Sequence, residues 1–569
     1  DLLAHPCRPA TVAPRYCGLM VLLSYLDVAA AVGNYYYPRL PLGYPLRSMY
    51  FAFTPFKVAA VAVFIALLVI LSTATIAYKE VHYGSERLHV AFAWDGLRAI
   101  NEARYRVAFI GNHLFGEDAA TTTASGVPVL LYHTITNRAG SESVSPSLFA
   151  AQLQALDAAG WRTITLAEFE AYMRGKTSLP DKSFLITFDD GAKESYYPTD
   201  PILAALDMNA VSFIIAKYSD KEGSHYYLSH GEIRSMLETG RWEIGSHTYD
   251  SHHLAATDAK GTEGPVIPNR LYLLHEGRIE TEEEYETRIE RDLSRAKLEL
   301  SNAFKVPITG FAFPFGEFGQ LSENYPDAIG VIADIAAAHY STSFYQTWPG
   351  EGLTFNYPAF EGAPAERMIL GKRIEPHASD TPAELLIRLE HGRPKSLPYS
   401  DTLESNHGWF SIWGTLRLEG GEIRLLAELD ETGNAAVLDG TGHWRDYEVN
   451  AAVWSPHRSG VYVWVRYQDA QNNVACNFGN GFIHAEETVH GVKRTIIGTR
   501  NPSITIPQDP FMVTARVEGR SITCSMNGSA VTTDFMDESL GRGGVGFKTW
   551  NSTPNLADLH IRTLTVDAL

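Results

Sequence analysis

A regular alternation of short apolar runs and helical segments extends from residue 127 to about residue 400, and it constrains the fold most strongly. The runs VPVLLYH, SFLITF, AVSFIIA and WEIGSH are short and apolar, as buried strands are. Between them, segments such as residues 147–159 carry apolar side chains at helical spacing. Strands that alternate with helices run parallel, so the pattern predicts an α/β fold, either a barrel or a doubly wound sheet. Residues 254–306 interrupt it with an insertion that ends in a charged helix.

The character of the sequence changes beyond residue 405. Runs such as DYEVNAAVW and GVYVWVRY alternate in polarity between Gly, Asn and Asp turns, so residues 405–569 are predicted to form an antiparallel β-sandwich of immunoglobulin or jelly-roll type. The region is similar to concanavalin-like and laminin-G-like jelly rolls, which accompany sugar-active enzymes. Cys476 and Cys524 can pair if they lie outside the cytoplasm. Six tryptophans are candidates to stack on sugars, although core packing is the favoured role for each: Trp409, Trp413, Trp444, Trp454, Trp464 and Trp550.

An uncharged apolar segment at residues 58–78 is long enough to cross a hydrocarbon core of roughly 30 Å. Basic side chains precede it, so the positive-inside tendency places the N-terminus in the cytoplasm and the later domains outside. We predict a single-pass transmembrane anchor. The alternatives are a cleaved signal segment, which implies secretion, and a buried core helix. Residues 1–57 are then a cytoplasmic or spurious extension, and residues 79–125 a linker to the α/β domain at 126–400.

The overall charge argues against one class of partner. The formal net charge is −19 and no long cluster of Lys and Arg is present, whereas nucleic-acid binding needs concentrated positive charge. The chain also lacks a phosphate-binding loop and a Gly-x-Ser-x-Gly elbow, which argues against a P-loop enzyme and a serine hydrolase.

Two polar clusters follow strands of the α/β domain. Asp189 and Asp190 come directly after SFLITF, and His247 and His252 lie in EIGSHTYDSHH, at the end of the strand WEIGSH and just beyond it. Function collects at the carboxyl ends of parallel strands, so these side chains are expected to meet there. One carboxylate and two imidazoles form a three-ligand set with open positions, as in hydrolytic metal sites. Taken singly, a pair of aspartates is more often a surface turn than a catalytic site, and a histidine-rich turn is often solvated; their occurrence at successive strand ends favours a site.

TFDDG together with SHTYDSH resembles the first two motifs of the polysaccharide deacetylase family, also called the NodB-homology or carbohydrate esterase family 4 domain. VLLYHTI and FAFPFG extend the resemblance over residues 126–400. The resemblance implies a distorted (β/α) barrel that removes acetyl groups from N-acetylated sugars with a divalent metal. It assigns Asp189 as the general base and Asp190, His247 and His252 as metal ligands. Such a set suits Zn²⁺ and also admits Co²⁺, Ni²⁺ or Mn²⁺.

The third family motif departs from the pattern, because Ala312 stands where the family has an arginine. Arg373, in GKRIEPH, is a candidate to orient the base in its place. The backbone N–H of Phe315, after Pro314, is expected to stabilise the oxyanion. His133 is the candidate general acid, as an early histidine is in the subgroup that acts on the biofilm polymer poly-β-1,6-N-acetylglucosamine. The alternative for His133 is a strand-end histidine bonded to a backbone carbonyl.

These motifs predict metal-dependent N-deacetylation of an N-acetylglucosamine polysaccharide at the outer side of the membrane, with release of acetate. One alternative is the same reaction on peptidoglycan or chitin oligomers. Another is a catalytically inactive barrel that binds polysaccharide. Two further histidines, His253 and His377, are close enough in sequence to compete for a role, and solvated loop positions are the favoured interpretation for both.

Overall fold

The structure is a computed structural model. It describes residues 88–569 apart from 118–121, 139, 141–142, 220–223, 348–352, 361–367 and 536. The predicted anchor or signal segment and the extension before it lie outside the described residues. Among the helices that the structure does describe, none is long and apolar enough to span a bilayer. The described residues belong to one compact unit.

Parallel strands form the core of the first domain and follow one another around the sheet in chain order. Ile374, directly after the last strand, bridges Leu130 of the first strand, so the sheet nearly closes on itself. The barrel, rather than the doubly wound sheet, is therefore the observed form of the predicted α/β fold. The strands are β1 (Val129–Tyr132), β2 (Ser183–Phe188), β3 (Ala210–Ile214), β4 (Trp242–Ser246), β5 (Gly310–Ala312), β6 (Thr342–Gln346) and β7 (Ile369–Arg373).

All residues of β1, β2 and β3 are buried, which explains why these strands read as continuous apolar runs rather than as alternating ones. Helices cover the outside of the barrel and shield those side chains from water. The described helices are α1 (Leu88–Ala108), α2 (Ile110–Phe115), α3 (Pro146–Ala158), α4 (Leu166–Met173), α5 (Lys193–Tyr196), α6 (Asp200–Leu206), α7 (Ala216–Ser219), α8 (His230–Glu238), α9 (Glu282–Phe304), α10 (Ala328–His339) and α11 (Pro382–Gly392). Helices α1 and α2 lie within the region predicted as a linker.

Capping boxes define where four of these helices begin. In α4, α8, α9 and α11 the N-cap hydroxyl accepts a hydrogen bond from the backbone N–H of the third helical residue, a glutamate. The carboxylate of that glutamate accepts a hydrogen bond from the N-cap backbone N–H. The cap of α4 is Thr165, which lies inside WRTITL, a short run that by its sequence also predicts a strand. Only Arg162–Thr163 of that run is a strand, because the capping box ends the extended conformation at Thr165.

The insertion consists of short hairpins followed by the long helix α9. Its apolar face places Tyr285, Ile289, Leu293 and Ala296 in the core at helical spacing, and α9 packs against α10. The short antiparallel pairs are Leu254–Ala256 with Glu263–Pro265, and Tyr272–Leu273 with Arg278–Ile279. A short parallel pair elsewhere in the domain joins Thr134–Ile135 to Ser143–Val144.

The second domain is all-β, as predicted, and is built from two antiparallel sheets that enclose one apolar core. One sheet has the order β10-β11-β22-β13-β18-β19-β20, with β8 also paired to β22; the other has the order β9-β12-β21-β14-β15-β16-β17. The strands are β8 (Tyr399–Asp401), β9 (Trp409–Trp413), β10 (Thr415–Glu419), β11 (Glu422–Leu426), β12 (Gly433–Leu438), β13 (Tyr447–Trp454), β14 (Gly460–Asp469), β15 (Asn472–Gly479), β16 (Phe482–Val489), β17 (Val492–Arg500), β18 (Phe511–Glu518), β19 (Ser521–Met526), β20 (Ser529–Asp534), β21 (Gly544–Trp550) and β22 (Asp558–Ala568).

A disulfide joins the two sheets of the sandwich. Cys476 of β15 and Cys524 of β19 are both fully buried and bonded to each other across the core. Replacing both by alanine is expected to lower the free energy of unfolding of the sandwich by about 2–5 kcal/mol. Urea denaturation with and without a reductant checks this: reduction should bring the wild type to the midpoint of the variant and leave the variant unchanged. Equal midpoints for oxidised wild type and variant would contradict it.

Candidate active site

The two acidic residues of TFDDG lie at the carboxyl end of β2, where the strand turns. Asp190 has φ +69° and Gly191 has φ +68°, so both adopt the left-handed conformation. That conformation is strained for an aspartate, and such strain collects at functional sites. A Cβ at position 191 would lie 2.9 Å from the side chain of Ile214, so the turn needs glycine. It brings both carboxylates to one imidazole: His247 Nε2 lies 3.9 Å from Asp189 Oδ2 and 3.7 Å from Asp190 Oδ1.

Asp190, His247 and His252 form a cluster whose ligand atoms all lie within 4.8 Å of one another. His252 Nε2 is 3.5 Å from Asp190 Oδ1, and His247 Nδ1 lies 2.8 Å from the carbonyl oxygen of Ala312. If that nitrogen donates to the carbonyl, the Nε2 lone pair faces the cluster. Burial lowers the pKa of His247 to about 4, so the ring is neutral, as a metal ligand must be.

The oxygen Oδ1 of Asp190 is buried and has no hydrogen-bond partner among the described residues. Buried polar atoms are almost always bonded, so an orphaned carboxylate oxygen between two imidazoles indicates a missing partner. A divalent cation satisfies this oxygen and both imidazole nitrogens together. The donor set therefore fits the metal predicted from the sequence.

The loop that carries His252 is held by the insertion. The carboxylate of Asp292, on α9, accepts hydrogen bonds of 2.9 Å from the backbone N–H groups of Tyr249 and Asp250. Asp292 is buried, and its contribution could not be predicted because no motif links α9 to the loop. The only sequence signal is its position on the buried face of an otherwise charged helix.

Arg373, the last residue of β7, forms a bidentate pair with Asp189. Its guanidinium donates to Asp189 Oδ1 over 2.6 Å and to Asp189 Oδ2 over 2.7 Å, and both side chains are buried. Burial acts to raise the pKa of Asp189, but the Arg373 charge and His247 outweigh it and hold that pKa well below its usual range. The structure thus places an arginine on the predicted base although Ala312 cannot supply one.

His133 lies just after β1 and faces a carboxylate rather than a backbone carbonyl. His133 Nδ1 is 2.8 Å from Glu375 Oε1, and Gln346 donates to Glu375 Oε2 over 2.7 Å. Burial acts to lower the pKa of His133, but the hydrogen bond that its ring donates to Glu375 and the charges of Asp189 and Asp190 raise it to about 9. The ring is therefore protonated at neutral pH, as a general acid must be. Glu375 was missed from the sequence, although it stands two residues after Arg373.

Replacing Glu375 by glutamine is expected to lower the pKa of His133, because the group that stabilises the imidazolium loses its charge. The basic limb of the pH profile of kcat/KM should move to lower pH. Because the pKa of His133 is raised on folding, its protonated ring stabilises the folded state fully below about pH 6.5, the pKa of an unfolded histidine, and this contribution is lost as pH rises through about 9. The variant should therefore gain less stability from His133 at neutral and acidic pH.

The matched control is Glu384→Gln, which changes the same charge at the exposed cap of α11. Initial rates measured between pH 5 and pH 10 check the prediction. An unmoved basic limb in Glu375→Gln, or an equal shift in both variants, would contradict it.

Pro314 and Phe315 follow β5, and the Phe315 ring borders the cluster. The Phe315 ring centroid lies 4.8 Å from that of His252, and Phe315 has φ +59°. His253 points elsewhere: its Nδ1 lies 2.8 Å from the Asp250 carbonyl oxygen in an exposed position. The backbone N–H of His377 donates to Asp380 in an exposed turn. The structure thus brings the predicted site residues together and leaves the two competing histidines in loops.

Comparison with known proteins supports this picture. Residues 176–331, which include Asp189 and the whole cluster of Asp190, His247 and His252, match a family model described as polysaccharide deacetylase. This range of the chain is similar to polysaccharide deacetylases. The matched range covers part of the barrel and ends within α10. It confirms the resemblance predicted from TFDDG and SHTYDSH.

The chain is also similar to proteins of known name. It is 27% identical over 208 residues to the poly-beta-1,6-N-acetyl-D-glucosamine N-deacetylase of Escherichia coli K12, and this alignment covers 34% of this chain and 31% of that protein. It is 30% identical over 180 residues to the enzyme of the same name from Staphylococcus aureus MRSA252, which covers 31% of this chain and 54% of that protein. The chain thus spans between about a third and about half of the length of these relatives. The solved structure of IcaB from Ammonifex degensii is 25% identical with a TM-score of 0.35, covering 46% of this chain and 96% of that one.

Proposed function

We propose that this chain is a metal-dependent deacetylase that removes acetyl groups from an N-acetylglucosamine polysaccharide outside the cytoplasm. The observation that carries the proposal is that a candidate metal site and a buried ion pair lie side by side at one end of the barrel. A three-ligand cluster, Asp190, His247 and His252, lies beside the buried pair of Asp189 and Arg373. This combination supplies both a cation site and an ionised base.

Asp190, His247 and His252 would hold the cation. When bound, such an ion would supply Lewis-acid chemistry, namely polarisation of the amide carbonyl and a lower pKa for the attacking water. Two imidazoles and a carboxylate suit Zn²⁺, and they also accept Co²⁺, Ni²⁺ or Mn²⁺. The backbone N–H of Phe315 is the proposed donor to the oxyanion, supported by the contact between its ring and His252.

The proton transfers are assigned to two side chains of the barrel. Asp189 takes a proton from water as the amide carbonyl is attacked. Arg373 keeps Asp189 ionised and aligned, and it also makes the carboxylate a weaker base. His133 then gives its proton to the departing nitrogen, and Glu375 stabilises the imidazolium until that transfer. The products are acetate and a free amino sugar.

The substrate class follows the relatives rather than the geometry. Both named relatives act on poly-β-1,6-N-acetyl-D-glucosamine, so this polymer is the first substrate to test. Peptidoglycan and chitin oligomers are the alternative substrates, and inactive polysaccharide binding is the alternative function. The paired state of Asp189 with Arg373 favours an active enzyme, because it restores the arginine that the third motif lacks.

Acetate release by the purified full-length protein tests the proposal on β-1,6- and β-1,4-linked N-acetylglucosamine oligomers and on peptidoglycan. We expect the fastest release from the β-1,6-linked substrate, loss of release after metal removal by a chelator, and recovery when Zn²⁺ is returned. Elemental analysis of the same preparation identifies the metal. Metal-loaded protein that binds the polymer and releases no acetate would overturn the proposal in favour of the binding function.

We also propose that the sandwich binds the polysaccharide through the outer face of the sheet that contains β14. An outward sheet face is usually polar. Here the buried rings of Tyr462 and Trp464 form a second apolar cluster there, and the Trp413 ring, which is 37% exposed, lies 6.2 Å from Trp464 and presents the cluster to solvent. The ammonium group of Lys548 lies 5.3 Å from the centre of the Trp413 ring. Trp409, by contrast, is buried in the core.

Replacing Trp413 by alanine is expected to weaken binding of the acetylated polymer by about tenfold, since an aromatic stacking contact is lost. Binding is measured by affinity electrophoresis in an Asp189→Asn background, which prevents turnover. The matched control is Trp454→Ala on the other sheet, which should bind as the parent does. Equal binding by the Trp413 variant and its parent would overturn this role for the face.

We propose that the barrel and the sandwich lie outside the cytoplasm on a single-pass anchor, or are secreted if that segment is cleaved. One structural feature supports this location. The buried bond between Cys476 and Cys524 is of a kind that persists in oxidising compartments. Labelling intact cells with a membrane-impermeant amine reagent tests it: labelling of the sandwich before lysis is expected. Labelling only after lysis would overturn it.

A further inference from the structure

A short segment beyond α7 is paired to the turn that carries the acidic residues. The backbone N–H of Lys193 donates to the Tyr226 carbonyl over 2.7 Å, and that of Leu228 donates to the Gly191 carbonyl over 2.9 Å. Ala192 and Tyr227 form an antiparallel bridge between these two bonds. The backbone at position 226 is therefore fixed beside the turn, and its side chain has a defined place near Asp190.

From this position, the hydroxyl of Tyr226 donates a hydrogen bond of 3.1 Å to Asp190 Oδ2. The other oxygen of the same carboxylate, Oδ1, faces His247 at 3.7 Å and His252 at 3.5 Å. The two oxygens therefore have separate surroundings: one is bonded to a phenol, and the other is directed at the imidazoles. A carboxylate without such a bond can rotate about its Cβ–Cγ axis and exchange the two oxygens.

We propose that Tyr226 is a positioning residue of the metal site, which fixes Asp190 so that Oδ1 alone is offered to the cation. The inference rests on the proposed function, since it assigns the cluster to a metal. Groups that bond to metal ligands orient them and raise affinity, and their loss weakens metal binding by about 10- to 100-fold. One-oxygen ligation by Asp190 also keeps coordination positions open for water and substrate.

The surroundings of Tyr226 make this role separable from a role in folding. The side chain is 40% exposed, so its hydroxyl is not buried in the core. Its ring packs edge-on against Tyr227 at 4.7 Å, and Tyr227 stacks on Tyr218 at 4.6 Å. A phenylalanine keeps these ring contacts and removes only the oxygen. Water can then reach Asp190 Oδ2, so the substitution itself does not leave this oxygen buried without a hydrogen-bond partner.

The test is the Zn²⁺ affinity of the full-length Tyr226→Phe protein, measured by competition with a chromogenic chelator. We expect the apparent Kd to rise about 10- to 100-fold, with most of kcat restored at saturating Zn²⁺. The matched control is Tyr285→Phe, which removes a buried hydroxyl that donates to the Ile267 carbonyl. That variant should unfold at a lower temperature and bind Zn²⁺ as the wild type does.

A Kd for Tyr226→Phe within twofold of the wild type, or an equal rise in Tyr285→Phe, would overturn the inference. The affinity measurement needs no turnover, so it remains decisive if the wild type binds Zn²⁺ without releasing acetate. That result would overturn the proposed function alone. A wild type that binds no divalent cation would overturn both.

Discussion

Replacing Arg373 by leucine is expected to lower the free energy of unfolding by about 3–5 kcal/mol, because it leaves Asp189 buried with an unpaired charge. Both side chains are almost completely buried, and the guanidinium forms both hydrogen bonds to the carboxylate. Leucine fits the apolar surroundings of the arginine stem, whose guanidinium carbon lies 5.5 Å from the centre of the Phe213 ring. Loss of the charge partner therefore dominates over loss of packing.

A second substitution in the same protein, Asp189→Asn, tests this cause. In the double variant Arg373→Leu/Asp189→Asn both charges are gone, and replacing a whole buried ion pair is often close to neutral. Chemical denaturation in the presence of a chelator should therefore place the double variant nearer to the wild type than either single variant. Additive losses in the double variant would mean that Asp189 and Arg373 stabilise the barrel independently.

The pair also predicts an acid limit for the fold. The lowered pKa of Asp189 stabilises the folded state above the unfolded value of about 3.9, and this contribution is lost as pH falls through the lower folded value. The wild type should therefore lose stability below about pH 4, whereas the double variant, which lacks the carboxylate, should lose less.

Replacing Asp189 by asparagine is expected to reduce acetate release by about 10²- to 10⁴-fold, the range supplied by a general base. The amide cannot accept a proton from water at working pH. Because Asp190, His247 and His252 are unchanged, the variant should still carry the wild-type amount of metal. Thermal unfolding confirms that the measured protein is folded, since the amide also weakens the contact with Arg373.

The contrasting variant is Asp190→Asn, one residue away. It removes a ligand rather than the base, so it should lose both metal content and activity. The two variants are thus expected to differ in metal content, measured by elemental analysis, and to share a low rate of acetate release. Full acetate release by Asp189→Asn would exclude its role as base, and equal metal loss in both variants would contradict the division of roles.

Local sequence accounts for the elements of the barrel and for the two central clusters. Buried parallel strands must be apolar along their whole length, so SFLITF and WEIGSH are visible as strands in the sequence. Residues that directly follow such strands must lie at the same end of the barrel. Asp189, Asp190 and His247 were therefore predictable as a group without knowledge of the strand order, and His252 was expected to converge on them from the loop that follows His247.

The remaining contacts depend on the packing of segments that are distant in the sequence. Arg373 reaches Asp189 only because β7 returns to β1 and nearly closes the barrel, which brings side chains 184 positions apart into contact. Asp292, on the insertion helix, accepts two hydrogen bonds from the loop that carries His252, and Tyr226, in a loop segment, donates one to Asp190. One or two hydrogen bonds impose no periodicity or spacing on the chain, so only the tertiary structure could place these partners on the site.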